Sequence, residues 1–125
     1  MAKTILIVDD SASLRRVVQI ALTGAGYEVI EASDGKDGLA KLAKLAGKKV
    51  HLIISDVNMP NMNGIEFVTE VKKDPAYKFT PVIMLTTESE TAVKEAGRAA
   101  GAKAWVVKPF NPSQMLNAVS KLIAP

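Results

Sequence analysis

Apolar residues follow two alternating patterns along this chain. Short apolar runs occur at Thr4 to Val8 (TILIV), Leu52 to Ile54, Val82 to Leu85 and Ala104 to Val107, with a more polar one at Tyr27 to Ala32. Their length and their content of Val and Ile are those of strands buried on both faces of a parallel sheet. Between and after them, apolar residues recur every three or four positions. The sets are Leu14, Val17, Val18, Ala21, Leu22; then Leu39, Leu42, Leu45; Ile65, Val68, Val71; Val93, Ala96, Ala100; and Met115, Leu116, Val119, Leu122, Ile123. Each set predicts a helix with those residues turned inward.

The punctuation agrees with this division. Ser11 or Ser13 can cap the first helix, and Gly24 and Gly26 stop it. Asp34-Gly35 turns the chain into the second helix and Gly47 ends it, while Pro75 closes the third, Pro81 opens the fourth strand and Gly101 bounds the fourth helix. A βα unit repeated five times with short links implies an α/β fold. It is a (βα)5 doubly wound parallel sheet with right-handed crossovers and helices on both faces. No linker or low-complexity segment interrupts it, so residues 1–125 are expected to form a single domain.

Composition narrows the function. An apolar content of 48% is that of a globular protein. No run approaches the roughly 18 apolar residues of a transmembrane helix. The N-terminal MAKTILIVDD lacks the features of a signal peptide, which places the expected location in the cytoplasm. Cysteine is absent, excluding disulfides and thiolate zinc sites, and the lone His51 argues against a catalytic triad or a histidine metal site. The net charge is +3. Lys36, Lys41, Lys44, Lys48 and Lys49 crowd one segment, which reads as a solvated helix face. Nucleic-acid binding would call for more basic residues with interleaved aromatics.

The candidate chemistry lies at the carboxyl ends of the predicted strands, where open α/β sheets bind ligands. The third strand ends in Asp56 and runs into a turn-rich segment containing Pro60, Asn61, Asn63 and Gly64. Alone, Asp56 would read as a turn cap. The first strand, however, ends in Asp9-Asp10, the fourth in Thr86 and the fifth in Lys108. If these ends lie side by side, three carboxylates meet one ammonium and one hydroxyl. Clustered carboxylates repel, and a hard divalent cation relieves that repulsion. Oxygen-only ligands favour Mg²⁺. Such a set can hold a phosphoryl group in line with a carboxylate nucleophile. A salt bridge from Lys108 to the acids is compatible with this in the resting state. Thr86 alone would be ordinary strand composition.

The segments IVDDS, SDVNMPNMNG and VVKPF, in that order and spacing, resemble the receiver domain of two-component response regulators. The resemblance covers the whole chain and is greatest to stand-alone chemotaxis regulators. The resemblance implies the flavodoxin-like strand order 2-1-3-4-5. The resemblance implies that Asp56 accepts phosphate from a histidine kinase. Asp9, Asp10 and Asp56 would bind Mg²⁺, with the backbone carbonyl of Asn58 as a further ligand. Lys108 would contact the phosphoryl oxygens and Thr86 would move inward to hydrogen-bond them. Trp105 matches an aromatic switch position where Tyr or Phe is commoner; its other reading is a packing residue. The bond to Pro109 would be cis. Asn58 and Glu88, both polar, would flank the path of the hydrolytic water. The second helix reads about a turn longer than in familiar chemotaxis regulators. The target surface would comprise the fourth helix, fifth strand and fifth helix, including Lys103, Trp105 and part of Glu90 to Gly101.

The expected function is therefore a phosphorylation-controlled binding switch that catalyses only its own phosphorylation and dephosphorylation. Because the chain ends at Pro125, the output is expected to be protein–protein. The expected partners are a chemotaxis-type histidine kinase, the flagellar motor switch protein or another target, and a possible phosphatase, with no nucleic acid and no membrane. One alternative is a relay or phosphate-sink receiver of another two-component pathway. A more distant one is a flavodoxin-like electron carrier, against which Asp9-Asp10 stands where a phosphate-binding loop would be needed.

Overall fold

Ten elements alternate along the chain: β1 (Thr4–Val8), α1 (Ala12–Gly24), β2 (Glu28–Ala32), α2 (Gly35–Leu45), β3 (Leu52–Asp56), α3 (Gly64–Val71), β4 (Val82–Thr86), α4 (Thr91–Ala100), β5 (Ala104–Val107) and α5 (Pro112–Leu122). The computed structural model describes residues 2–86, 91–108 and 110–123. Glu88 and Pro109, and with Pro109 the expected cis bond, lie outside the described residues. All pairings are parallel, in the order β2-β1-β3-β4-β5. This is the doubly wound α/β architecture expected from the pattern.

Strand alternation divides the core into two layers. Leu6, Val8, Ile53, Val82 and Met84 point to one face, where Phe67, Val68 and Val71 of α3 and Leu42 of α2 cover them. Ile5, Ile7, Leu52, Ile54, Ile83 and Leu85 point to the other, under Val18 and Leu22 of α1 and Met115 and Val119 of α5. The central strands are buried on both faces, hence their unbroken apolar runs. Side-chain caps start four of the helices: Ser11, Asp34, Asn63 and Asn111 each accept a backbone N–H from the first turn. Asn63 and Asn111 complete reciprocal capping boxes with Glu66 and Gln114.

The apolar pattern misplaced some side chains. Val17 was expected inward but is 48% exposed, because the buried stripe of α1 runs through Val18 and Leu22 and leaves Val17 off its axis. The third helix buries Gly64, Phe67, Val68 and Val71, so Phe67 belongs to the core and Ile65 only borders it. Ala96 was expected inward and is exposed; a methyl group carries too weak a signal to orient a helix rich in alanine. The Val93 side chain lies outside the described residues. β2 begins at Glu28 because the backbone N–H of Tyr27 donates to Leu22 O, at the end of α1. β4 extends to Thr86, which pairs with Val107.

Tyr77, between α3 and β4, is buried, and its hydroxyl donates to Lys48 O at 3.0 Å. It thereby fastens the α2–β3 connection to the core. Tyr77→Phe keeps the ring but strands a carbonyl, so it is expected to cost about 1–2 kcal/mol in urea unfolding.

Candidate functional site

Sheet register alone brings two acids together. Val8 pairs with Ser55 across β1 and β3, so the next residues, Asp9 and Asp56, come level on neighbouring strands. Asp10 follows, and the carboxylates of Asp9, Asp10 and Asp56 each offer an oxygen within 4.8 Å of the others. Asp9 is 1% and Asp56 6% exposed, while Asp10 faces solvent. The cluster predicted from separated strand ends is thus assembled by pairing in the sheet.

Lys108 enters from the end of β5, its backbone N–H donating to Thr86 O at 2.7 Å. Its Nζ lies 3.2 Å from Asp56 Oδ2 and 3.5 Å from Asp9 Oδ2. The other Asp9 oxygen, Oδ1, accepts the Ser11 N–H at 2.9 Å. Thr86 is buried at the last position of β4. Asn58 is exposed, two residues beyond Asp56 in the loop that leaves β3. Trp105 is half-buried on β5 in register with Met84. It packs against the α3-side core and lines a surface cleft of about 520 Å³ together with Lys103, Gln114 and Asn117. The structure therefore joins Asp9, Asp10, Asp56 and Lys108 directly, and sets Trp105 on a separate surface at the sheet edge.

The electrostatics are those of an under-neutralised acid cluster. Burial pushes the Asp56 carboxyl above its usual range, and the charge of Asp9 pushes it further. Lys108 offsets part of this and Asp10 adds to it. A divalent cation would supply the missing positive charge. The donor set, carboxylate oxygens only with one acid open to solvent, fits a hard ion that keeps some of its water.

Several supporting residues escaped the sequence reading. The Arg15 guanidinium donates to the backbone carbonyl of Asp9 and lies 3.5 Å from Glu31, bracing the end of β1 from the first turns of α1. Nothing in the local sequence marks it. In sequence Gly64 carries only a turn signal, yet a Cβ there would stand 2.1 Å from Asp56 O and 2.9 Å from Met84 Cε. Its N–H donates to Val57 O at 2.8 Å and closes the loop beneath Asp56. Asn61, at φ +68°, donates from Nδ2 to Asp34 Oδ2 at 2.9 Å and ties this loop to the start of α2. The density of Asn and Gly in the segment was the available signal for such a closely held loop.

Known proteins resemble this chain in sequence and in fold. The chemotaxis protein CheY1 of Helicobacter pylori is 42% identical over 109 residues, 86% of each chain. The chemotaxis protein CheY of Thermotoga maritima is 38% identical over 124 residues, 98% of each. The solved structure of chemotaxis protein CheY4 from Vibrio cholerae superposes with a TM-score of 0.93 at 47% identity, covering 98% of this chain and 100% of that one. The family model described as the response regulator receiver domain matches residues 5–120. A match that runs from β1 into α5 admits one conclusion: the chain belongs to the response regulator receiver family.

Proposed function

We propose that this chain is a stand-alone receiver, a binding switch turned on when Asp56 accepts phosphate from a histidine kinase. The observation that carries the reading is Asp56 itself: a nearly buried carboxylate, 3.2 Å from a lysine ammonium, within a set of three acids at the carboxyl end of the sheet. In the transfer, an Asp56 carboxylate oxygen attacks phosphorus, the bond from phosphorus to the donor breaks, and the donor leaves with its electron pair. Lys108, already beside Asp56, faces the oxygens of the incoming phosphoryl group. Asp9, Asp10, Asp56 and the Asn58 carbonyl would hold Mg²⁺, which when bound offsets the negative charge brought together by phosphate and acids. Thr86 and Trp105 would carry the change from the phosphoryl group to the surface formed by α4, β5 and α5. The names of its relatives favour chemotaxis. On that reading a chemotaxis kinase is the donor, the flagellar motor switch protein the target and a phosphatase a third partner, all in the cytoplasm. The chain's catalysis would extend only to its own phosphorylation and dephosphorylation.

The single tryptophan provides a test. Titrating Mg²⁺ is expected to give a saturable change in Trp105 fluorescence, and chelation is expected to stop labelling by acetyl phosphate. No saturable change, together with labelling that survives chelator, would contradict the assignment.

The lifetime of the phosphorylated state would depend on side chains bordering the path of attacking water. Asn58 is polar and exposed, leaving that path open; Glu88 is proposed as its companion. Asn58→Met combined with Glu88→Leu is expected to slow phosphate loss several-fold after the donor is removed, on the order of 1 kcal/mol in the barrier. An unchanged lifetime would mean that water reaches phosphorus by another route.

A further inference from the structure

The opposite end of the sheet carries a second concavity, unrelated to the acid cluster. Its volume is about 470 Å³, within the range of small-molecule sites. It forms where strands begin: Lys3 precedes β1, His51 precedes β3 and Pro81 precedes β4. The length of the strands separates it from the carboxylates by roughly 16 Å. Val50, Pro81 and Ile123 contribute apolar lining, and Lys3, Lys49 and Phe79 contribute to its walls.

Two features give this cleft a chemical preference. The first is a pair of cations, Lys3 and Lys49, with no ion-pair partner among the described residues. His51 lies in the same cleft, its Nδ1 accepting the Thr4 N–H at 3.0 Å. The neutral ring therefore carries its proton on Nε2 and has a donor to offer. Burial first, then Lys49 and Lys3, hold the imidazole below its usual titration range, as crowded cations should. The second feature is an open aromatic surface. Phe79 is 86% exposed, and Lys78 Nζ lies 5.4 Å from its ring centroid. An isolated exposed Phe would be unremarked. This one borders a cleft lined by both apolar residues and lysines.

We infer that this cleft binds a nucleotide-like anion, a planar aromatic ring bearing a phosphate. The ring lies against Phe79 and Pro81, and the phosphate meets the ammoniums of Lys3 and Lys49. Charge-assisted hydrogen bonds hold the anion and ring contact orients it. Neither a bare phosphate nor an uncharged nucleoside satisfies both halves of the site.

The chain has one histidine, so its imidazole resonances report on the cleft without ambiguity. The full chain, at constant ionic strength and without divalent cation, is titrated with AMP, with adenosine and with inorganic phosphate. AMP is expected to shift the His51 signals saturably and to bind about tenfold or more tighter than either fragment. Lys3→Gln with Lys49→Gln is expected to weaken AMP about tenfold, and Phe79→Ala to reduce it to the level of inorganic phosphate. Lys49 and Phe79 are exposed and Lys3 is half-buried at the chain start, so both variants are expected to keep the wild-type melting profile. His51 signals that do not move with AMP, that move equally with phosphate or adenosine, or that respond to AMP unchanged in the double-lysine variant would each overturn the inference.

Discussion

Asp56→Asn is expected to abolish phosphoryl acceptance and, without divalent cation, to raise the midpoint of thermal unfolding. The first effect follows from chemistry, since an amide oxygen is no substitute for a carboxylate nucleophile. The second follows from electrostatics. Burial and the neighbouring Asp9 push the Asp56 carboxyl above its ordinary range, and Lys108 only partly opposes them. A raised carboxyl means that the folded state holds its proton more tightly than the unfolded chain does. Its contribution to stability is therefore present below the unfolded value, near pH 4, and is lost as pH rises through the folded value. Above the unfolded value, burying this acid works against folding, and asparagine removes that penalty. Lys108 still keeps Asp9, at 3.5 Å, as its partner. The gain should be present at neutral pH and shrink as pH falls toward 4. Added Mg²⁺ should reverse the order, because a cation bound to the folded state stabilises wild type more than a variant lacking one carboxylate. Melts with and without Mg²⁺ at neutral and acid pH check both signs. A variant markedly less stable than wild type in chelator would mean that Asp56 chiefly holds the fold together.

Gly64→Ala is expected to be among the most damaging single-methyl changes in the molecule. Intrinsic helix preference predicts the reverse, since alanine is favoured over glycine by about 1 kcal/mol inside a helix. Here the added Cβ would fall 2.1 Å from the carbonyl oxygen of Asp56, which is backbone and cannot swing aside. Either α3 slides outward, breaking the 2.8 Å bond from Gly64 N–H to Val57 O, or the end of β3 moves. A cost of about 3 kcal/mol is expected, at the upper end for an overpacked site. Displacement of β3 would also misplace the Asp56 carboxylate, and an error of about 1 Å in a reacting group can slow a reaction roughly 100-fold. Urea unfolding and the rate of labelling by acetyl phosphate should therefore fall together. Unchanged stability would show that the loop can yield where the geometry says it cannot.

Much of this molecule was legible from its apolar pattern, for a physical reason. Strands buried on both faces must be apolar throughout, so TILIV, LII and VIML identified themselves without tertiary information. The acid cluster was legible because parallel strands deliver their last residues to one end of the sheet; Asp9 and Asp56 are remote in sequence but level in register. Apolar pattern alone does not say which strand neighbours which, so the strand order is legible only through the family resemblance. The misses came where the local signal was weak. Val17 and Val18 are identical residues, and only packing decides which is buried. Phe67 is in the core because a cavity above Gly38 admits its ring, where a Cβ would stand 2.8 Å from Phe67 Cε1. Arg15 reaches the Asp9 carbonyl only after β1 and α1 have docked. The role of Gly64 depends on a carbonyl eight residues away, which no turn rule encodes.

The most direct test of the central claim is to locate the phosphoryl group. The protein is incubated with acetyl phosphate and Mg²⁺, then treated with borohydride, which reduces an aspartyl phosphate to homoserine. Peptide mass spectrometry then reads the modified position. The predicted result is homoserine at position 56 alone, absent when chelator replaces Mg²⁺ and absent from Asp56→Asn. Homoserine at Asp9 or Asp10 in the wild-type protein, or no reduced residue under conditions where Mg²⁺ shifts Trp105 fluorescence, would contradict it.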